Sequence, residues 1–195
     1  MIVGAVVQRD ADFAVCGGVE GGIEREGAGR DPLAAGGRVV AFAGGLLGYP
    51  RAAMSLVDRS PEDFASHLRS LGVRRAYLVH NHDTGQIDTS HPELAPLAAW
   101  LQTDNRDYRQ HAGVFLQVGR HGGLFGAFVQ ATARGQGQGG LRHWPYPSLA
   151  AFLRDGLRLA TGMARKNALA GLWWGGGKGL IARVPGDAYR DPQQR

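Results

Sequence analysis

Glycine constrains this chain more than any other residue type: 31 of its 195 positions carry no side chain. They are spread along the sequence without a three-residue period. That excludes a collagen-like rod or a simple linker, and it requires many tight turns or close backbone approaches. Apolar residues make up 44% of the chain against 20% charged, enough for an ordinary globular core. At this length the chain buries one good core or two small ones. Glycine clusters at 17–22, 36–37 and 44–45 leave residues 1–57 with little to read beyond a short buried strand over Val39–Phe42.

Downstream the signals sharpen. Ser60 followed by Pro61, Glu62 and Asp63 predicts a helix start, with a serine cap, a first-turn proline and acids at the positive end of the dipole. Phe64, Leu68 and Leu71 recur at helical spacing until Gly72. Ala76–Val79 reads as a strand, and residues 91–103 as a helix with Leu94, Leu97, Ala98 and Leu101 on one face. Asp104–Gln110 is polar enough to mark a boundary. Val114–Val118 and Leu124–Thr132, joined by a glycine-rich turn at 119–123, predict a hairpin. The strongest helix starts at Ser148, after Pro147. Leu149, Phe152, Leu153, Gly156, Leu157, Ala160 and Met163 form one apolar stripe, with Arg154, Asp155 and Arg158 on or toward the other face. Leu169–Trp173 and Leu180–Val184 are predicted as short strands around a turn at Gly175-Gly176-Gly177-Lys178.

The net charge of +5 comes from 22 basic and 17 acidic side chains. Arginines are scattered and adjoin acids, as in Arg9–Asp10, Arg30–Asp31, Asp58–Arg59 and Arg154–Asp155. A solvated, mildly basic surface fits this better than the basic stripe interleaved with aromatics of a nucleic-acid binder. The apolar start, Met1–Val7, is too short for a signal peptide or a span and lacks a basic leader. No later stretch approaches the ~20 apolar residues of a membrane helix. Cys16, the lone cysteine, cannot pair within the chain, which suits a reducing compartment. The expectation is a cytoplasmic protein that engages neither nucleic acid nor membrane.

Only two of the 22 basic residues are lysines, Lys166 and Lys178, and both fall within one 13-residue stretch. A guanine- and cytosine-rich genome explains the depletion of lysine but not which positions escape it. Arginine stays protonated at any workable pH, whereas a desolvated or crowded lysine can lose its proton. A function needing a titratable amine must therefore use one of these two.

Three motifs compete for attention. Gly135, Gly137 and Gly140 satisfy G-x-G-x-x-G after a strand, but a dinucleotide fingerprint needs a helix opening at the last glycine. Pro145 and Pro147 interrupt that turn. The Gly177-Lys178 pair lacks the rest of a phosphate loop, since position 172 is leucine and position 179 glycine. His80-Asn81-His82, with Ser90 and Glu93 downstream, is similar to the zinc-hydrolase pattern of the JAMM family. Two imidazoles and a carboxylate would leave one zinc position open to water. Asp83 stands where that family has proline and Glu93 where it has aspartate, and a polar turn at a strand end accounts for the same residues.

The last third of the chain is different in kind. Gly139-Gly140-Leu141-Arg142, Ser148, the helix through Leu159-Ala160, Gly162-Met163, Lys166-Asn167-Ala168, Gly171-Leu172 and Gly175-Gly176-Gly177-Lys178 together resemble the N-terminal domain of the Glu/Leu/Phe/Val (amino-acid) dehydrogenases. The resemblance implies an α/β fold, a mixed β-sheet flanked by helices, preceded here by a small α/β N-terminal extension. It implies residues 1–105 as that extension and 106–195 as the dimerisation and substrate-binding domain. It also implies NAD(P)-dependent oxidative deamination of an L-amino acid to a 2-oxo acid, on a homo-oligomer. Lys178 would be the catalytic amine. Lys166 would hold the substrate carboxylate, with Gly139, Gly140 and Met163 lining the pocket.

The NAD or NADP of the complete enzyme would bind elsewhere, because the family's downstream aspartate and Rossmann domain have no counterpart before Arg195. No metal is expected. Trp173 and Trp174 replace smaller family residues and would reshape specificity if an indole faced the pocket. Two alternatives stay open: a non-catalytic oligomerisation or amino-acid-binding module on the same fold, and a zinc hydrolase built on His80, His82 and Glu93.

Overall fold

The computed structural model describes residues 56–184, apart from 105 and 121, and the backbone of two short strands, β1 (Ala5–Val7) and β2 (Phe13–Val15), which pair antiparallel. The Val39–Phe42 strand and Cys16 lie outside the described residues.

Helix α1 (Pro61–Ser70) begins as its sequence requires, with the Ser60 Oγ accepting from the Asp63 N–H at 3.0 Å. Phe64, Ala65 and Leu68 are buried, whereas Leu71 falls just past the last turn and stays 42% exposed. Strand β3 (Arg75–His80) alternates buried and less buried residues and pairs antiparallel with the short β4 (Ile87–Thr89). The helix expected over 91–103 arrives in two pieces, a 3₁₀ turn at Pro92–Leu94 and α2 (Ala95–Thr103). Each has a proline in its first turn, where a missing N–H does no harm. Strands β5 (Gly113–Val118) and β6 (Leu124–Val129) form the expected hairpin, from Val118↔Leu124 to Gly113↔Val129.

The glycine-rich stretch then supplies β7 (Gly137–Gln138) and β8 (Leu141–Trp144), followed by α3 (Leu149–Leu169), capped by Ser148. Strand β9 (Gly175–Ala182) corrects the local reading in two ways. Residues up to Leu169 belong to the helix, whose end is closed by the Leu172 N–H donating to the Asn167 carbonyl. The three glycines and Lys178 lie inside an extended strand instead of at a turn. Glycine suits that place because a Cβ at Gly175, Gly176 or Gly177 would run into the backbone of Ala131, Ala160 or Gly137, respectively.

The sheet has seven strands in the order β4-β3-β5-β6-β9-β7, with β8 also paired to β9. The pairs β4–β3, β3–β5, β5–β6 and β6–β9 are antiparallel, and β7 and β8 run parallel to β9, so the sheet is mixed. One apolar core joins α1, α2 and α3 to the sheet, with Phe64, Leu97, Leu101, Phe128, Phe152 and Leu157 among its members. Strands from either side of the polar 104–110 segment pair with each other, Arg75 opposite Gln117. That segment is tied to α3 by the Arg154 Nε donating to Asp104 Oδ2 at 2.7 Å. No helix of the described residues is long and apolar enough to cross a membrane.

Candidate functional site

The glycines of β9 let α3 lie directly on the strand. A Cβ at Gly176 would overlap the Ala160 carbonyl oxygen and approach the Ala164 nitrogen to 2.6 Å, both in α3. Next to it the chain crosses from β7 to β8 through Gly139 and Gly140. A Cβ at Gly139 would overlap the Gly177 carbonyl oxygen and meet Met163 Cγ at 3.2 Å. At Gly140 the nearest atom to such a Cβ is the Lys178 Nζ, at 3.6 Å. Gly139, Gly140, Met163 and Lys178, singled out from the sequence, therefore border one small region where α3 meets the glycine strands. Buried Asn167 pins this junction by donating from Nδ2 to the Gly175 carbonyl at 2.8 Å and, at 3.5 Å, to that of Gln138.

Lys178 is half-buried on β9, whereas Lys166 is exposed near the end of α3, three residues beyond Met163. The Lys178 amine is held below the ordinary lysine range, first by burial and then by the Arg142 guanidinium. Asp155 opposes the shift, and Lys166 adds to it. Crowding by Lys166 is thus a smaller influence than burial and Arg142.

Asp155 is the residue that sequence reasoning misplaced. Instead of facing outward it is buried, and its carboxylate accepts three hydrogen bonds. Arg142 Nη1 donates to Oδ2 at 2.8 Å, the Tyr146 hydroxyl to Oδ2 at 2.9 Å, and Arg158 Nη2 to Oδ1 at 2.8 Å. Burial alone would push this carboxyl up, but the three donors together hold it below the usual carboxylate range. Its placement on the polar side of the helix hid this role, because its main partner sits 13 residues away on β8.

Trp173 is 77% exposed, with Arg134 stacked on its ring at 5.2 Å. After Gly140 the chain enters β8, so no helix N-terminus faces the Gly135–Gly140 loop, and these residues do not fit a dinucleotide pyrophosphate.

The zinc reading finds no support. His80 is buried and meets the Tyr108 hydroxyl at 3.2 Å through Nδ1, while His82 and Glu93 are exposed. Among the described residues no group of three or more His, Cys, Asp or Glu could hold a metal ion. The histidines matter to stability instead. His80 is shifted down by burial and by His82, and His111 by burial, chiefly against the opposing hydrogen bond to the Leu157 carbonyl. Neutral His111 is fixed in one tautomer, Nδ1 accepting from the Arg109 N–H and Nε2 donating to Leu157 O at 2.9 Å. Depressed imidazoles favour the fold only while uncharged. The unfolded chain takes up protons near pH 6.5 and the folded chain at lower pH, so stability present above 6.5 is lost as pH falls through the folded values. Thermal unfolding between pH 7.5 and 5 should show a falling midpoint, with a shallower fall in His111→Gln; equal slopes would remove His111 from this account.

Comparison with known proteins places the last third of the chain. The family model for the Glu/Leu/Phe/Val dehydrogenase dimerisation domain matches residues 122–193. The valine dehydrogenase of Streptomyces coelicolor is 44% identical over 80 residues, which cover 40% of this chain and 22% of that protein. The Streptomyces ambofaciens valine dehydrogenase sequence is 41% identical over 80 residues, 40% of this chain and 76% of that sequence. The leucine dehydrogenase of Bacillus subtilis is 44% identical over 66 residues, 34% of this chain and 17% of the relative. A solved structure of L-tryptophan dehydrogenase from Nostoc punctiforme aligns with 32% identity and a TM-score of 0.37, over 40% of this chain and 23% of that one. The match thus spans 22% or less of the coelicolor and subtilis enzymes.

Proposed function

Because the chain belongs to the Glu/Leu/Phe/Val dehydrogenase family, we propose that residues 106–195 hold the substrate in the oxidative deamination of an L-amino acid to a 2-oxo acid. Residues 1–105 are then an extension, part of which completes the same sheet through β3 and β4. The protein works as a homo-oligomer in the cytoplasm. NAD or NADP would supply the hydride acceptor, and the Gly135–Gly140 stretch, followed by strand β8, is not where it would be held.

One observation carries this reading: the Lys178 amine lies over the Gly140 backbone, beside the close approach of Gly139 to Gly177 and Met163. An amino acid placed there meets an amine whose proton is loosely held. Lys178, when neutral, takes a proton from the substrate ammonium, releases it to solvent, and, neutral again, takes one from the water that adds to the imine carbon. Lys166, whose environment is open, offers an ammonium to the substrate carboxylate. Gly139 and Gly140 leave room for the backbone of the pocket to touch the ligand. Neutral Lys178 becomes more abundant as pH rises toward the 10.5 of an unperturbed lysine, so proton transfer should rise along an alkaline limb that begins below that value.

Aliphatic L-amino acids are the first probes, since the relatives are named for valine and leucine. Ligand-observed NMR or calorimetry on the chain should show saturable binding, weakened about tenfold in Lys166→Ala, or about 1.4 kcal/mol. Absence of binding by every amino acid tried, or unchanged affinity in Lys166→Ala, would overturn this assignment. Binding without amino-acid-dependent NAD(P) reduction by the complete protein would favour the non-catalytic module instead.

A further inference from the structure

Arg142 and Asp155 reach the lysine site from two different elements. Arg142 stands on β8, opposite Leu180 of β9, two residues from Lys178 along the strand. Asp155 stands on α3, and the 2.8 Å bond between them ties the helix to the sheet edge. Both charges lie within electrostatic reach of the Lys178 amine, and they act on it in opposite directions. Among the described residues the charges that bear on that amine are Arg142 from β8, two residues past the Gly140 that borders Lys178 Nζ, and Asp155 and Lys166 from α3; its partner on β6 is the apolar Phe128. Tyr146 and Arg158 complete the carboxylate's bonding and keep Asp155 ionised.

We propose that Asp155 and Arg142 are positioning residues for Lys178, an ion pair whose balance sets how readily the amine gives up its proton. This rests on the role proposed for Lys178, but its physical content is independent of turnover. Removing the carboxylate leaves the guanidinium uncompensated beside the amine and favours its neutral form. Removing the guanidinium leaves the carboxylate, still held by Tyr146 and Arg158, and favours the ammonium. A merely structural pair would not produce shifts of opposite sign, because losing either partner breaks the same bond.

The chain is suited to the test, having only two lysines. With lysine labelled by carbon-13 at Cε, NMR shows two side-chain signals, assigned through Lys166→Arg, and each is followed through its titration. Asp155→Asn should lower the Lys178 midpoint, raising its neutral fraction at a fixed pH by about threefold. Arg142→Gln should raise the midpoint by a similar factor, and the double variant should return close to the starting value. Lys166 should move less in all three. Shifts of the same sign, or no shift, would overturn the proposal. If Asp155→Asn fails to fold, Arg142→Gln decides alone: an unmoved or lowered midpoint defeats the idea. Opposite shifts in a chain that binds no amino acid would leave this coupling intact and remove the proposed function.

Discussion

Replacing Lys178 by alanine is expected to lower kcat for amino-acid oxidation by about a thousandfold or more, with little change in KM. The measurement is steady-state amino-acid-dependent reduction of NAD or NADP by the complete protein. Alanine removes the titratable amine set over Gly140, and neither cation that bears on it can substitute. Arg142 is permanently charged and already committed to Asp155, and Lys166 stands exposed on the helix. Lys178→Arg separates charge from proton transfer: it keeps a cation but no usable base, and should be nearly as inactive. Rates near the unsubstituted protein's in Lys178→Ala would end the proposed mechanism.

Gly139→Ala is the second large effect, and it acts on structure. Its new methyl would overlap the Gly177 carbonyl oxygen, which is backbone and cannot rotate aside. To admit it, the β7–β8 crossing must move away from β9, and the site opens with it. The expected loss is about 3 kcal/mol or more of stability, read as a lower thermal midpoint, together with loss of amino-acid binding. Gly162→Ala provides the contrast. This glycine lies inside α3 with open space around its missing Cβ, so alanine should stabilise the helix by up to about 1 kcal/mol and leave binding intact. Equal midpoints for the two variants would show that the close approach at Gly139 does not bear on the fold.

What could be read beforehand follows from what each residue announces locally. Ser60 and Ser148 cap helices through their own next turns, and Leu149 to Ala160 repeat at helical spacing, so α1 and α3 were legible at once. The β5–β6 hairpin was legible from its alternation and its turn. Strand β9 was not, because three successive glycines have no side chains to alternate, and the same letters serve a turn as well as a hemmed-in strand. The lysines were found through their scarcity and the family resemblance. Asp155 was missed because a charged residue on a helix normally faces water, and only the distant Arg142 and Tyr146 reverse that rule. Membership of the family rests on the last third of the chain, where the family model matches residues 122–193.

Asn167 bears on the glycine strands in one more way. Strand pairing is normally proofread by side chains, since a slip of one residue turns every apolar group to the wrong side. Between Gly137–Gln138 and Gly175–Gly176 that check is nearly silent, and a slipped ladder would look much like the correct one. A single amide bonded to Gly175 and reaching Gln138 supplies the missing alignment mark, one residue along the helix from Lys166. The helix thus acts as a vernier for the strands: it fixes which glycine faces which, and so where along β9 the Lys178 amine comes to rest.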